Sequence, residues 1–392
     1  MNVGRPHAAA ALLALAALVS ARDRPATAQG GTPPPLYKVD PSWPQPLPIV
    51  RDRDGQAHPW VTGEVGATCV DRRDHVITVN RGFLKGGLIA QEGRQSVPAP
   101  PVIEFDADGK IVNTWGDAAL TPQGAAATLP HGIHGCFVDY EDNVWIAGNL
   151  DGVVQKWTHD GKQMLLQIGT KGACDGPPTT SPNAPYPTCG EPGTNTSRTL
   201  LNDPADVFVD PNPDPATGER GSVYIADGYG NYRVVVFDSR GNYLRQWGTP
   251  GSDPGQFGAR GGGHPHCVLI GVDGLVYTCD RGQNRVQVFD KLGTLRRVIP
   301  IDPPDQKSAT ARACDLAFSQ DPTQTFMYVT DLGSDRVWIL DREKGAIVGS
   351  LGRPGHMAGE LTFPHTVAVD SKGDVYVSET IGGRRSQKFV RI

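Results

Sequence analysis

The stretch that decides the fold begins Ala205-Asp206-Val207-Phe208-Val209-Asp210 and continues through Ser222-Val223-Tyr224-Ile225-Ala226-Asp227 and Arg233-Val234-Val235-Val236-Phe237-Asp238. It then turns at Arg240-Gly241-Asn242 and ends in Tyr243-Leu244-Arg245-Gln246-Trp247-Gly248. Each run is rich in β-branched and aromatic residues and is bounded by Asp, Asn or Gly, the pattern of short strands joined by tight turns. Copies recur from Ala67 to Gly116, His131 to Gly169, His266 to Ile299 and Arg312 to Gly352, and from His365 to Ile392, where three strands remain. A unit repeating at roughly 40 to 50 residues is a supersecondary module that cannot bury both faces alone. Stacked radially, such four-stranded sheets form a β-propeller. The expectation is therefore an all-β, six-bladed β-propeller. The last unit lacks one strand, and Leu36-Tyr37-Lys38-Val39-Asp40 is expected to supply it, closing the ring and removing an open sheet edge.

Composition agrees. The 392 residues include 48 Gly and 34 Pro, which suits many turns. Residues 1–28 read as a signal peptide: Arg5 supplies the charged start, Ala8 to Val19 the apolar segment, and Ala26-Thr27-Ala28 a cleavage site, with Ala21 as an alternative. Residues 29–392 form the propeller domain. The apolar segment is short of the ~20 residues a membrane span needs. Losing Arg5, Arg22, Arg24 and Asp23 moves the net charge from -5 to −7. A mildly acidic exported chain gives no reason to expect nucleic acid. We expect a secreted or periplasmic monomer, with no membrane partner.

The 7 cysteines permit up to three disulfides with one thiol left over. Cys174 and Cys189 flank a Pro-rich loop and are the favoured pair. Cys267 and Cys279 lie on adjacent strands and either bridge or pack. Cys69, Cys136 and Cys314 sit early in apolar strands, as small buried residues.

Leu129-Pro130-His131, His264-Pro265-His266 and Phe363-Pro364-His365 each open an inner strand. They belong to the second, fourth and sixth units, so His131, His266 and His365 converge on the axis with near three-fold symmetry. Three histidines with a coordination position left open make the donor set of a catalytic zinc. His134 and His264 stand nearby as partners for metal-bound imidazoles or as ordinary channel residues. The loops Gly82 to Pro101, Thr170 to Leu201 and Thr249 to Gly263 gather on the same rim, as binding loops on a scaffold do. Three strands end there in Asn80-Arg81-Gly82, Asp227-Gly228-Tyr229 and Asp280-Arg281-Gly282. An arginine clamps a carboxylate bidentately, and a tyrosine beside a dication serves as a base.

These motifs carry a resemblance. The run from Pro204 to His266, with Asp227-Gly228-Tyr229, Gln246-Trp247-Gly248 and Pro254-Gly255-Gln256-Phe257, resembles peptidyl-α-hydroxyglycine α-amidating lyase, an NHL-repeat propeller family. Leu129-Pro130-His131-Gly132, Asn80-Arg81-Gly82, Asp280-Arg281, Asn284-Arg285-Val286 and Phe363-Pro364-His365 extend it across all six units. The resemblance implies a zinc held by His131, His266 and His365, with Arg81, Tyr229 and Arg281 as catalytic residues. It implies cleavage of a C-terminal α-hydroxyglycine, a substrate with a carboxylate, to an amide and glyoxylate. It also implies a structural calcium (Ca2+) near the axis, bound by an acidic residue after the third zinc histidine and by carbonyls around Thr68 and Ile133. Here that acidic position is Thr366, and the cysteine that follows the family's tyrosine is Gly230. Two rival readings stand: a lactonase-like metal-dependent hydrolase, whose sites are rich in channel carboxylates, and a non-enzymatic NHL-type binding module without metal.

Overall fold

The computed structural model describes residues 1, 32–51, 54–83, 87–116, 129–130, 132–180, 188–190, 192–258, 264–303 and 311–392. The signal-peptide reading and His131 therefore lie outside the described residues. The chain separates into Met1–Pro33 and Pro34–Ile392, and everything below concerns the second unit.

The fold is all-β and nearly free of helix. The described helical residues are one turn at Glu92–Gln95 and a 3-10 turn at Arg281–Gln283. Among the described residues there are six four-stranded sheets and one small three-stranded sheet. The sheets built on Val65–Val70, Ile133–Val138, Pro204–Asp210, Cys267–Ile270 and Leu316–Phe318 are antiparallel, with neighbours in the order of the repeat. In the remaining sheet Pro364–Val369, Val375–Glu379 and Ser386–Arg391 are joined by Tyr37–Asp40, with Tyr37 opposite Arg391 and Asp40 opposite Lys388. The first strand of each sheet packs on the first strand of the next, and Pro364–Val369 packs back on Val65–Val70.

The apolar residues lie between sheets. Ala67, Ile77, Val79 and Trp115 of one sheet meet Ile133, Val144, Ile146 and Trp157 of the next, and the Trp115 and Trp157 rings approach to 5.4 Å. Truncating such a ring costs about 3–5 kcal/mol. Gly161 is forced by this packing: its φ is +70°, and a Cβ there would lie 2.1 Å from Trp115.

The Asp that ends so many strands is a turn device. Asp139 Oδ1 accepts from the amides of Glu141 (3.0 Å) and Asn143 (2.9 Å), and Asp370 Oδ1 from those of Lys372 (3.0 Å) and Asp374 (2.9 Å). The loop after Gly82 is more than a loop. It carries the turn Glu92–Gln95 and a strand, Val97–Pro98, that pairs in parallel with Ala57–Val61. That small sheet, completed by Ile49–Arg51, was not expected from the sequence, because strands of five residues or fewer, two of them holding Pro59 and Pro98, leave no periodic signal.

Three disulfides form. Cys174–Cys189 and Cys267–Cys279 join as the sequence allowed, and Cys314 is the free, buried thiol. Cys69–Cys136 departs from the expectation of packed thiols: the two lie on the first strands of neighbouring sheets, 5.9 Å apart at Cα. No helix among the described residues is long and apolar enough to cross a membrane.

Candidate metal centre

Six residues share one register position, found by counting back the same interval from each hairpin turn: Gly66 from Asp71, His134 from Asp139, Ala205 from Asp210, His266 from Gly271, Cys314 from Ser319 and His365 from Asp370. Alternate sheets contribute an imidazole there. The others contribute a main-chain carbonyl that holds the neighbouring imidazole. His134 Nδ1 donates to Ala205 O (2.7 Å), His266 Nδ1 to Cys314 O (2.6 Å) and His365 Nδ1 to Gly66 O (2.7 Å). A carbonyl only accepts, so each Nδ1 carries the hydrogen and each Nε2 keeps its lone pair.

The three rings meet at the axis. Their centroids are 4.7 to 5.0 Å apart, their planes are close to perpendicular, and one ring nitrogen from each lies within 4.8 Å of the others. All three are buried. Burial holds each imidazole neutral, well below its usual range, with His365 pushed down to about 3, and the Arg81 and Arg281 guanidiniums add to the effect. Three neutral imidazoles, each with its second nitrogen held by a carbonyl, are the donor chemistry of a zinc site.

His134 thus stands in the trio, where the sequence reading had made it a neighbour of the ligands. The Nδ1 partners are carbonyls and not His264, whose ring stacks on Tyr232 at 5.2 Å.

Tyr229 hangs over the trio. Its hydroxyl lies 3.0 Å from His134 Nε2 and 2.9 Å from His266 Nε2, and accepts from Arg281 Nη1 at 3.2 Å. Burial raises the phenol above its ordinary value, against the pull of Arg281 and Arg81. The loop that carries it is tightly held. Tyr229 N donates to Asp203 O (3.1 Å), and Gly230 N to Asn202 O (3.0 Å). Asp227, fully buried, accepts from Asn202 N (2.8 Å), Asn231 Nδ2 (2.7 Å) and Arg233 Nε (2.9 Å). Gly228 is required because a Cβ there would lie 1.7 Å from Pro265 O. A Cβ on Gly230 would lie 2.4 Å from the buried Asn202 side chain, so any side chain there, a cysteine included, runs into Asn202.

The two arginines differ. Arg281 is buried, lies over the Tyr229 ring (5.1 Å) and reaches Cys314 Sγ (3.8 Å). Arg81 donates from Nε to Ile133 O (2.8 Å) and from Nη1 to Glu64 Oε2 (3.2 Å), while its buried Nη2 has no hydrogen-bond partner among the described residues. An orphaned guanidinium N–H beside the trio is a ready anchor for an anion.

Beyond the imidazoles, a cavity of about 350 Å³ is lined by His134, His266, Asp206, Asp315, Thr68 and Thr366 among others. Asp206 and Asp315 are half-buried residues, and desolvation of their carboxyls raises both, Asp315 further because Asp206 is near. Thr366 brings a hydroxyl where the amidating lyases have a carboxylate, and Ile133 O already accepts from Arg81.

No family profile matches the chain. NHL repeat-containing protein 3 of Homo sapiens is 25% identical over 374 residues, 91% of this chain and 84% of that protein. Peptidylglycine alpha-amidating monooxygenase of Rattus norvegicus is 23% identical over 338 residues, 81% of this chain but 29% of that protein. A probable peptidyl-alpha-hydroxyglycine alpha-amidating lyase of Caenorhabditis elegans is 34% identical over 79 residues, 19% of this chain. Among solved structures, one described as a streptogramin B lyase covers 84% of this chain with a TM-score of 0.51 at 11% identity, a likeness of fold alone. Together these likenesses support an NHL-repeat propeller with distant similarity to amidating enzymes.

Proposed function

We propose that this chain is an exported six-bladed propeller, its ring closed by Tyr37–Asp40, and a zinc-dependent lyase of the amidating-lyase kind. Its substrate would be a carbinolamide bearing a carboxylate, cleaved to an amide and glyoxylate. The observation that carries this reading is the carbonyl-held trio of neutral imidazoles beneath the Tyr229 hydroxyl. His134, His266 and His365 would hold the ion, and Zn2+ there supplies Lewis acidity to a substrate hydroxyl.

The chain's own residues do the rest. Arg81 Nη2, which lacks a partner among the described residues, anchors the substrate carboxylate. Arg281 keeps a permanent positive charge against the Tyr229 oxygen. Tyr229, raised by burial, holds its proton in the metal-free site. With a dication bound beside the ring, added to the pull of both arginines, Tyr229 would give up its proton more readily; as phenolate it takes the substrate hydroxyl proton while the C–N bond breaks, and passes that proton to the amide nitrogen that leaves. Burial of the whole group keeps water from competing. Three disulfides fit an oxidising compartment, as an exported protein needs.

One observation favours a second reading: a relative that matches 91% of the chain is described only by its NHL repeats, which suits a binding module. A hydrolase reading draws on Asp206 and Asp315 in the adjoining cavity, but neither carboxylate touches the Tyr229–Arg281 pair. The test is incubation of the zinc-loaded protein with a generic acyl-α-hydroxyglycine while glyoxylate is followed. Release that disappears in His266→Ala supports the lyase. A folded protein that binds no zinc and releases no glyoxylate leaves the binding module.

A further inference from the structure

We propose a second metal site, at the far ends of the first strands from the imidazole trio, where Asp71, His75, Glu104 and His159 would bind a divalent transition metal such as zinc. It is independent of the lyase reading. Asp71 follows Val65–Val70, His75 precedes the strand Val76–Asn80, Glu104 lies in Val102–Phe105, and His159 comes from the hairpin after Val153–Trp157 in the neighbouring sheet.

The donor atoms are already gathered. His75 Nδ1 is 2.7 Å from Glu104 Oε1 and 3.9 Å from Asp71 Oδ2. His159 Nε2 is 3.2 Å from Glu104 Oε1 and 3.7 Å from Asp71 Oδ2. A tetrahedral zinc with bonds near 2.0 Å sets its ligands about 3.3 Å apart, and these four separations straddle that value. The ligands are also pre-oriented. Asp71 Oδ1 accepts from the amides of Arg73 and His75, both at 2.8 Å, which turns Oδ2 inward. His159 Nδ1 lies 3.2 Å from Asp142 O, so Nδ1 carries the hydrogen and Nε2 presents its lone pair, the arrangement seen at zinc-bound histidines. His75 now donates from Nδ1 to Glu104; binding moves that hydrogen to Nε2, a tautomer shift that needs no ring movement.

Charge favours a dication. Asp71, Glu104 and Asp142 face the cluster against Arg73, with Arg72 at 3.7 Å from Asp142. Arg73 fills the place in this structure: its Nη2 is 2.6 Å from Asp71 Oδ2 and 2.7 Å from His159 Nε2. Its side chain is 47% exposed, so it can swing to solvent when a metal enters, whereas Asp71 and Glu104 are fixed and buried.

The test compares zinc content of the full chain and of His75→Ala/His159→Ala after chelator stripping and dialysis against Zn2+. We expect the wild type to hold one more zinc per chain than the double variant, whatever the trio holds. Equal content overturns the proposal, with His159→Gln as the milder variant if the double variant misfolds. Zinc should bind Arg73→Ala about tenfold more tightly, because a competing charge is gone. Unchanged affinity there means that zinc does not bind in the place Arg73 fills, and the proposal fails. Loss of zinc from His266→Ala/His365→Ala down to the wild-type value minus one bears on the lyase reading and leaves this one standing.

Discussion

Replacing Tyr229 by Phe removes one oxygen that touches three groups: His134 Nε2 (3.0 Å), His266 Nε2 (2.9 Å) and Arg281 Nη1 (3.2 Å). The ring keeps its place, since the loop is held by main-chain bonds to Asn202 and Asp203. The phenol has one hydrogen, so in the metal-free protein it donates to one Nε2 and leaves the other imidazole without it. A metal at the trio uses those same lone pairs and must displace that bond, worth about 1 kcal/mol net. Zinc should therefore bind the variant as tightly as the wild type or up to about fivefold tighter. Loss of a positioned proton acceptor costs about 10² to 10⁴ in turnover, roughly 3–5 kcal/mol of barrier. The assay pairs zinc content by metal analysis with glyoxylate release from an acyl-α-hydroxyglycine. Zinc lost together with activity makes Tyr229 a ligand or scaffold residue, and full turnover with zinc retained means that another group takes the proton. Either result refutes the reasoning.

Further outcomes are expected. Burial, with Asp227 nearby, raises the Asp203 carboxyl to about 7. The folded chain therefore keeps a proton that the unfolded chain releases, and this stabilisation, complete below pH ~4, is lost as pH rises toward 7, about 4 kcal/mol in all. Asp203→Asn cannot ionise and Asn tolerates the φ of +67°, so its stability relative to wild type in urea should be higher at pH 8 than at pH 5; an identical difference at both refutes the shift. Breaking Cys174–Cys189, which closes a loop of 15 residues, should lower unfolding free energy by about 3 kcal/mol in a chain-entropy account, measured by urea titration without reductant. Gly228→Ala drives a Cβ into Pro265 O, while Gly93→Ala meets nothing within 4 Å; the first should lower Tm and turnover together and the second neither, and a silent Gly228→Ala would show that the Tyr229 loop is free to move.

Much was legible in the chain itself. Alternating apolar runs bounded by Asp and Gly determined an all-β repeat, because strand periodicity and turn chemistry are local. Alternate units carrying Pro-His pointed to the axis, and Arg81, Tyr229 and Arg281 stood out as polar strand ends. The repeat also held an unread clue: counted from the hairpin turns Asp139, Gly271 and Asp370, the matching residues are His134, His266 and His365, whereas counting from the Pro-His pair selects His131. Register is the safer ruler, since each turn ties it to a hydrogen-bonded ladder, whereas the proline stands one residue before His266 and His365 but four before His134.

What only the tertiary structure decided is everything that joins one sheet to another. That Gly66, Ala205 and Cys314 lend carbonyls to the imidazoles, that Cys69 bonds Cys136, and that His159 meets His75 and Glu104 all depend on contacts between residues distant in sequence. Periodicity reports which face a side chain takes within its own strand. It carries no record of which backbone atom the next sheet will bring against that face, because that is set by how the packed layers of Trp, Val and Ile fix the sheets against one another.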